Sequence, residues 1–206
     1  MKVLLINGSP HTDGCTNAAL TEIATTLQKD GIETEIFQIG TKDIRGCIAC
    51  GKCSETGQCI FSDCVNTILE KAETADGFIF GSPVYYASAN GSMVSLMDRL
   101  FYASKNQFAY KPAAVVASAR RAGTTATLDQ LNKYLQISQM ITVPSCYWNM
   151  VHGSCKEDVA KDLEGLQIMR TLGKNMSWLL RMKECAATNQ ISLPESEPRV
   201  RTNFIR

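Results

Sequence analysis

Four cysteines in one short segment have the spacing of metal ligands. Cys47, Cys50, Cys53 and Cys59 form the pattern C-x2-C-x2-C-x5-C. Three thiolates at this close spacing can converge on one iron–sulfur cube, and Gly57 allows a tight return of the chain to the fourth. The spacing favours one compact [4Fe–4S] site over structural zinc, which usually takes two separated cysteine pairs. Free thiols near a cofactor, or cysteines that only pack within a loop, are the open alternatives.

The remaining cysteines are assigned simpler roles. The chain of 206 residues has nine cysteines, an odd number, and five of them lie between positions 47 and 64. Because structural disulfides are rare in reducing compartments, such a group indicates metal or redox chemistry. Cys64 is expected to start a helix, and the scattered Cys146, Cys155 and Cys185 are expected to be small apolar residues of the interior.

A glycine-containing loop follows the first apolar run of the chain. The segment INGSPHTDGCTN, residues 6–17, begins at the last residue of KVLLI. A triphosphate loop needs G-x4-G-K-[ST], but five residues separate Gly8 from Gly14, and Cys15 stands where lysine is required. A dinucleotide loop needs G-x-G-x-x-G and an acidic residue at the end of the second strand, which here ends FQIG. Neither motif is present.

A single terminal phosphate suits this loop better. Ser9 and Thr16 offer hydroxyl groups, and Pro10 and Gly14 shape the turn. The backbone N–H groups of residues 15–18 would point at an anion from the start of a helix, whose dipole favours negative charge there. The alternative is an ordinary strand-to-helix turn with Thr16 as N-cap. The loop by itself does not decide between the two.

Composition narrows the classes of function. Apolar residues make up 45% of the chain and charged residues 20%, which is ordinary for a globular protein. The net charge of +1 gives no broad field for nucleic acid or an acidic membrane. No apolar run reaches the length of a membrane span, and the N-terminus lacks the pattern of a signal peptide. We therefore expect a cytoplasmic protein that binds neither nucleic acid nor membrane.

Short apolar runs alternate with segments of helical period. Strands are predicted at residues 2–8, 32–39, 76–85, 111–119 and 140–148. Helices are predicted at residues 16–29, 63–74, 90–104, 124–136 and 157–181. Five strands separated by helices require a parallel sheet that is covered on both faces. The predicted fold is α/β, a doubly wound five-stranded parallel sheet with helices on both faces, and ligands are expected beyond the carboxyl ends of its strands.

One domain accounts for most of the chain. We assign residues 1–182 to it, with a cysteine-rich loop, residues 45–62, inserted after the second strand. Residues 183–206 include Pro194 and Pro198 and have no clear period, so they are predicted to form an extended tail.

Two further loops are predicted at the same edge of the sheet as the glycine-containing loop. GSPVYYASANG follows the third strand, and its Val84, Tyr85 and Tyr86 offer a flat apolar and aromatic wall. SARRAGTT follows the fourth strand and offers small residues, two arginines and a glycine. A phosphate site, an aromatic wall and a loop rich in backbone amides are together what flavin mononucleotide (FMN) requires.

These segments carry a family resemblance. GSPHTDGCTN, GSPVYYASANGSMVSLMDR and SARRAGTT resemble the three flavin-binding loops of the flavodoxin-like NADPH-dependent FMN reductases, over roughly the first 180 residues. CIACGKCSETGQC is similar to the branch that includes the iron–sulfur flavoproteins. The resemblance implies strand order 2-1-3-4-5 and one FMN per subunit.

The resemblance also implies roles for individual residues. Those around the phosphate would be Ser9, His11, Thr16 and Asn17; those lining the ribityl chain and ring would be Pro83, Val84, Tyr85 and Tyr86; those along the isoalloxazine edge would be Ser118, Arg120, Arg121, Ala122 and Gly123. Since the chemistry belongs to the cofactor, no catalytic acid or base is expected. The metal ligands would be the four cysteines of the C-x2-C-x2-C-x5-C motif.

The expected function is that of an FMN-dependent oxidoreductase. It would accept electrons from NAD(P)H, bound transiently, or from a ferredoxin-like donor, and pass them to a flavin, a quinone or another small acceptor. One alternative is an electron carrier that holds FMN and a [4Fe–4S] cluster. Another is a flavodoxin-like binding module without catalysis.

The helix predicted at residues 90–104 suggests how the chain assembles. Its apolar face consists of Met93, Leu96, Met97, Leu100 and Phe101, is widened by Val94 and Tyr102, and is bordered by Asp98 and Arg99. This apolar face is wider than is needed to cover the sheet, so it would leave apolar surface for a second subunit. The family resemblance points the same way, so a homodimer or homotetramer is expected.

Overall fold

The computed structural model describes residues 1–198, 200 and 202. The strands are β1 (Lys2–Asn7), β2 (Glu33–Gln38), β3 (Gly77–Tyr85), β4 (Ser88–Ala89), β5 (Pro112–Ala119), β6 (Ile141–Thr142) and β7 (Met150–His152). The helices are α1 (Cys15–Lys29), α2 (Lys52–Thr56), α3 (Cys64–Thr74), α4 (Gly91–Ala103), α5 (Thr124–Ile137), α6 (Lys156–Val159) and α7 (Leu163–Thr188).

The sheet has the order β2-β1-β3-β5-β6, with parallel pairing along this path. This confirms the predicted order 2-1-3-4-5. The predicted fifth strand is split, because β6 pairs with the start of β5 and β7 with its end. Pro144, which has no N–H to give to a ladder, lies just after the point where the chain leaves the sheet.

Helices cover both faces of the sheet, as predicted. On one face α1 and α7 bury the side chains of Val3, Leu5 and Ile79. On the other, α3, α4 and α5 bury those of Leu4, Ile6 and other residues. Strand β1 is apolar on both faces because it is central, whereas the edge strand β2 is only half-buried. None of the described helices is long and apolar enough to cross a membrane.

The final helical segment differs from its prediction. Residues 157–181 are not one helix, because the chain turns between α6 and α7 at Asp162, whose carboxylate caps the N–H of Gly165 at 2.9 Å. Helix α7 then runs to Thr188, so the segment from residue 183 begins as helix, and residues 191–198 form neither helix nor strand. The tail positions 199, 201 and 203–206 lie outside the described residues.

Helix α4 uses its apolar face for the core rather than for a partner. Met93, Leu96, Met97 and Leu100 are all fully buried, and the half-buried Val94 and Phe101 pack against the same cluster. Met97→Lys would therefore test folding and not assembly. Only Tyr102, which is 73% exposed, is left as apolar surface among the residues predicted for this face.

Of the two charged residues predicted at the border of the apolar face of α4, Asp98 is half-buried, whereas Arg99 is buried and not at a polar border. The Asp98 carboxylate accepts a hydrogen bond from the Tyr134 hydroxyl at 2.5 Å. Burial of the Tyr134 hydroxyl, and to a smaller extent this bond, raises the pKa of Tyr134. Arg99 is buried. Both side chains are thus engaged inside the fold by partners more than thirty residues away.

Outside the motif, Cys15 and Cys64 are half-buried, whereas the other three cysteines are exposed. Cys64 is the first residue of α3, as predicted, and burial raises the pKa of its thiol. Cys146, Cys155 and Cys185 are exposed, so their assignment to the interior was wrong. They lie in the loop between β6 and β7, at the N-cap of α6 and in the last turns of α7.

Candidate functional site

The loop after β1 leads into a helix that no described side chain caps. Its N-cap is Gly14, whose carbonyl accepts the Ala18 N–H at 3.0 Å. The alternative with Thr16 as N-cap was wrong, since Thr16 lies inside the first turn. The first N–H groups of a helix have no partner within it, and they are well suited to an anion.

Buried amides hold this loop in shape. Ser9 is buried; its hydroxyl accepts the N–H of His11 at 3.1 Å, and its own N–H donates to the side chain of Asn7 at 3.0 Å. Gln38, at the end of β2, accepts from the Asn7 amide at 2.6 Å and donates to the Ser9 carbonyl at 2.5 Å. The roles of Asn7 and Gln38 were not predicted from the sequence. The side chain of His11 is exposed, and Asn17 is half-buried.

Asn90 ties the first loop to the second. Its side chain donates to the Gly8 carbonyl at 2.9 Å and caps α4 by accepting the Ser92 N–H at 2.9 Å. Gly8 itself lies so close to β3 that a Cβ atom there would meet the Gly81 carbonyl at 2.8 Å. The two loops are therefore held together at the ends of β1 and β3.

The third loop contacts both of the others. The Ser118 and Thr16 hydroxyls form a buried hydrogen bond of 2.8 Å, so Ser118 faces the first loop. Gly123, the N-cap of α5, has φ of +93°, and a Cβ atom there would come 2.6 Å from Ala87 Cα and 2.7 Å from Val84 Cγ1. The predicted residues Arg120, Arg121 and Ala122 are exposed on the rim.

Two tyrosines, Tyr85 and Tyr86, lie between these loops and the cysteine segment. Tyr85 is 45% exposed, and Tyr86 is fully exposed with φ of +48° at the tip of a tight turn. Pro83 and Val84 are half-buried beneath them. Tyr85 lines a cleft of about 570 Å³ whose other walls include Pro10, Asn90, Ser92 and residues 40–45.

The four motif cysteines line a single cavity. It measures about 350 Å³ and is walled mainly by apolar and sulfur atoms of the cysteine loop, together with Phe61, Arg99 and Tyr102. The segment was predicted to be a loop, but it contains one short helix, because α2 forms between Cys50 and Cys59. Gly51 and Gly57, with φ of +72° and +74°, begin and end that helix, so the predicted tight return at Gly57 is present.

Hydrogen bonds orient several of the sulfur atoms. The Ala49 N–H donates to Cys47 Sγ at 3.4 Å, and the Cys53 thiol donates to the Tyr102 carbonyl at 3.7 Å. Burial raises the pKa of Cys53, and negative charge on the other three motif cysteines would raise it further.

Arg99 and Asn66 fix the fourth cysteine. The Arg99 Nε–H donates to Cys59 Sγ at 3.2 Å, and the Asn66 side chain bonds both the N–H and the carbonyl of Cys59, at 2.8 and 2.9 Å. Asp63 forms a bidentate ion pair with the Arg99 guanidinium at 2.6 and 2.9 Å. Burial opposes the charge on Arg99, but Asp63 and Cys59 outweigh it and raise the pKa of Arg99.

The cysteines surround a space and do not converge on a point. Within residues 1–198, 200 and 202, no three His, Cys, Asp or Glu side chains are grouped for a single metal ion. The cysteine cavity lies beside the cleft at the flavin-type loops: Arg45 lines the cleft, and Cys47, two residues later, lines the cavity.

Comparisons with known proteins agree with this geometry. A family model described as NADPH-dependent FMN reductase matches residues 1–154. An iron–sulfur flavoprotein of Methanocaldococcus jannaschii is 33% identical over 196 residues, covering 88% of this chain and 98% of that protein. An FMN-dependent NADPH-azoreductase of Staphylococcus saprophyticus is 24% identical over 145 residues, covering 70% of this chain and 74% of that protein.

A solved structure shares the fold at low sequence identity. A flavodoxin from the domain Archaea matches with a TM-score of 0.61 and 14% identity, over 88% of this chain and 99% of that one. Its likeness supports the doubly wound architecture.

Proposed function

The chain belongs to the NADPH-dependent FMN reductase family, and we propose that it is an FMN-dependent oxidoreductase with a second redox site in its cysteine cavity. The observation that carries the proposal is that all four motif cysteines line one cavity beside the cleft at the predicted flavin loops. The matching iron–sulfur flavoprotein supports the same combination.

The three loops at the sheet edge fit FMN. The uncapped start of α1 offers N–H groups to a phosphate, and Ser9 and Asn7 preshape the turn in front of it. Gly8 and Gly123 occupy positions where a Cβ atom would collide, so backbone from neighbouring loops can meet closely around a ligand. Bound FMN would supply hydride and single-electron transfer. The protein holds the cofactor and keeps the Tyr85 wall beside it.

The cysteine cavity fits an iron–sulfur group. Four thiols line it, and its lining is otherwise largely apolar. A single tetrahedral zinc ion would draw its sulfurs to within about 4 Å of each other, given Zn–S bonds of about 2.3 Å. A [4Fe–4S] cluster is larger and suits cysteines arranged around a space. We assign Cys47, Cys50, Cys53 and Cys59 as its ligands.

The lining residues of the two sites are neighbours along the chain. Arg45 lines the cleft, and Cys47, two residues later, lines the cavity. We propose that electrons from NAD(P)H or a ferredoxin-like donor pass between the two sites and leave to a flavin, a quinone or another small acceptor. All nine cysteines are free, which suits a reducing compartment.

We further propose that the chain forms a homodimer or homotetramer. Because α4 gives its apolar face to the core, the contact is expected elsewhere. Trp178 and Met182, one turn apart on α7, are 62% and 48% exposed, and Ile191 and Leu193 beyond the helix are also exposed. Light scattering should give at least twice the chain mass of 22.6 kDa; a flavin-loaded species of 22.6 kDa would contradict assembly.

Anaerobic reduction tests the electron donor. The FMN- and iron-loaded protein is mixed either with NADPH or with a reduced ferredoxin, and flavin absorbance is followed. Rapid bleaching by NADPH supports a nicotinamide-dependent reductase, and bleaching by ferredoxin alone supports the electron-carrier role. A protein that holds flavin but is bleached by neither would contradict the proposed function and favour a binding module.

A further inference from the structure

Arg99 is an unusual residue for the middle of an amphipathic helix. Its side chain is 1% exposed, and it is the largest fully buried side chain among the described residues. Burying a guanidinium is costly, and apolar residues of similar volume often replace buried ion pairs without loss of stability. Stability alone therefore does not explain an arginine at this position.

The contacts of Arg99 point to the cysteine cavity. Its Nε–H donates to Cys59 Sγ at 3.2 Å, while its two Nη groups pair with the Asp63 carboxylate. Nη1 also donates to the Arg45 carbonyl at 3.1 Å, and the guanidinium lies 5.0 Å from the centre of the Phe61 ring. The guanidinium is thus held between two partners: its two Nη groups bind Asp63, and its Nε–H binds Cys59, a predicted metal ligand.

Among the described residues lining the cavity, Arg99 alone carries a fixed charge. Asn66 holds the backbone of Cys59 from the opposite side. Cys59 is therefore anchored by two side chains, whereas Cys47 and Cys50 are exposed. The cavity is electrostatically asymmetric, with its positive end at the fourth cysteine.

We propose that Arg99 is a positioning residue for Cys59 and that it raises the reduction potential of the iron–sulfur group held there. This inference rests on the proposed function. Hydrogen bonds to the sulfurs and net charge are among the factors that set such potentials. One electron taken from a chemical reductant adds one negative charge beside the guanidinium, which stabilises the reduced state more than the oxidised one. Asp63 offsets part of this effect from the far side of the guanidinium.

The test compares midpoint potentials in anaerobically reconstituted protein. Arg99→Met combined with Asp63→Asn removes both charges, so neither partner is left buried and unpaired, and asparagine keeps the N-cap of α3. Lys105→Met is the matched control, because Lys105 is a nearby cation that donates to the Glu55 carbonyl. Iron and flavin contents and the melting temperature of the metal-free protein are measured for each variant.

The double variant should favour the oxidised state at least tenfold more than wild type does, a fall in potential of about 59 mV for one electron. Lys105→Met should shift the potential much less, because solvent screens an exposed charge. Asp63→Asn alone should raise the potential, since the carboxylate no longer offsets the positive charge of Arg99. If the double variant does not fold, this single variant tests the effect of Arg99 on the potential. A folded double variant that binds flavin but loses iron supports the positioning role.

Two results would overturn the inference without touching the proposed function. One is an iron-loaded double variant with a potential no lower than that of Lys105→Met. The other is an Asp63→Asn variant whose potential does not rise. Wild-type protein that holds flavin but retains no iron after reconstitution would contradict the proposed cluster itself, and the inference with it.

Discussion

Replacing Gly123 by alanine tests how closely the second and third loops must approach each other. The added Cβ atom would lie 2.6 Å from Ala87 Cα and 2.7 Å from Val84 Cγ1, and the backbone φ of +93° is unfavourable for any residue with a side chain. Since the 2.6 Å contact is to backbone, a rotamer change does not relieve it. Ala87 must move or α5 must retreat.

The size of the effect follows from two contributions. A left-handed conformation costs an alanine about 1–2 kcal/mol, and overpacking costs about 1–3 kcal/mol. For a chain of this size each kcal/mol lowers the melting temperature by about 2–4 °C, so a fall of at least about 4 °C is expected. Part of this strain energy also disfavours the loop arrangement that binds flavin. If that part is about 1.4 kcal/mol, flavin affinity falls tenfold.

The assay pairs thermal unfolding of the flavin-free protein with fluorescence titration of FMN. Gly91→Ala is the control, because nothing lies within 4 Å of a Cβ atom at that first residue of α4. It should leave FMN affinity unchanged and stabilise the helix by up to about 1 kcal/mol. Gly123→Ala that matches Gly91→Ala in melting temperature and FMN affinity would refute the close approach of these loops.

The other predictions concern the first loop, the cysteines and the edge strand. Ser9→Ala with Thr16→Val should weaken FMN binding by about two decades with the fold intact, and an unchanged dissociation constant would remove this loop from the site. Cys50→Ser should abolish iron retention but not flavin content, whereas Cys185→Ser, on exposed helix, should change neither; iron retained in Cys50→Ser would contradict the ligand assignment. The pKa of Glu35 is lowered by its lysine partners, so its contribution is present at neutral pH and is lost as the pH falls through that lowered pKa. Glu35→Gln should therefore cost up to about 1 kcal/mol in urea unfolding at pH 7 and nothing well below the pKa; an equal loss at both pH values would exclude this explanation.

The order of strands and helices was predictable because buried positions along the sequence are occupied mainly by apolar residues. Strands such as β1 and β5 consist mainly of apolar residues, since both faces of the sheet are covered. The breaks were harder to predict. The turn between α6 and α7 depends on the Asp162 carboxylate, which bonds both the His152 and the Gly165 N–H groups, and the first of these comes from another element.

The parts of the candidate site that depend on loop backbone conformation and on residue spacing were predictable from the sequence. Glycines, prolines and the cysteine spacing indicated the three loops and the cavity. Arg99 was misplaced because the helical period puts it at the border of an apolar face, while its burial depends on Asp63 and Cys59, 36 and 40 residues away. The bridge that Gln38 makes to Asn7 was missed for the same reason, since their contact depends on strand register.

Cofactor content after anaerobic purification tests the central claim most directly. Protein prepared without exposure to air, or reconstituted with iron, sulfide and FMN, is analysed for flavin, iron and acid-labile sulfide per chain. The account predicts one FMN together with four irons and four sulfides, and a spectrum in which broad iron–sulfur absorption underlies the flavin bands. Flavin without iron would contradict the second redox site, and protein that binds neither would contradict the oxidoreductase function.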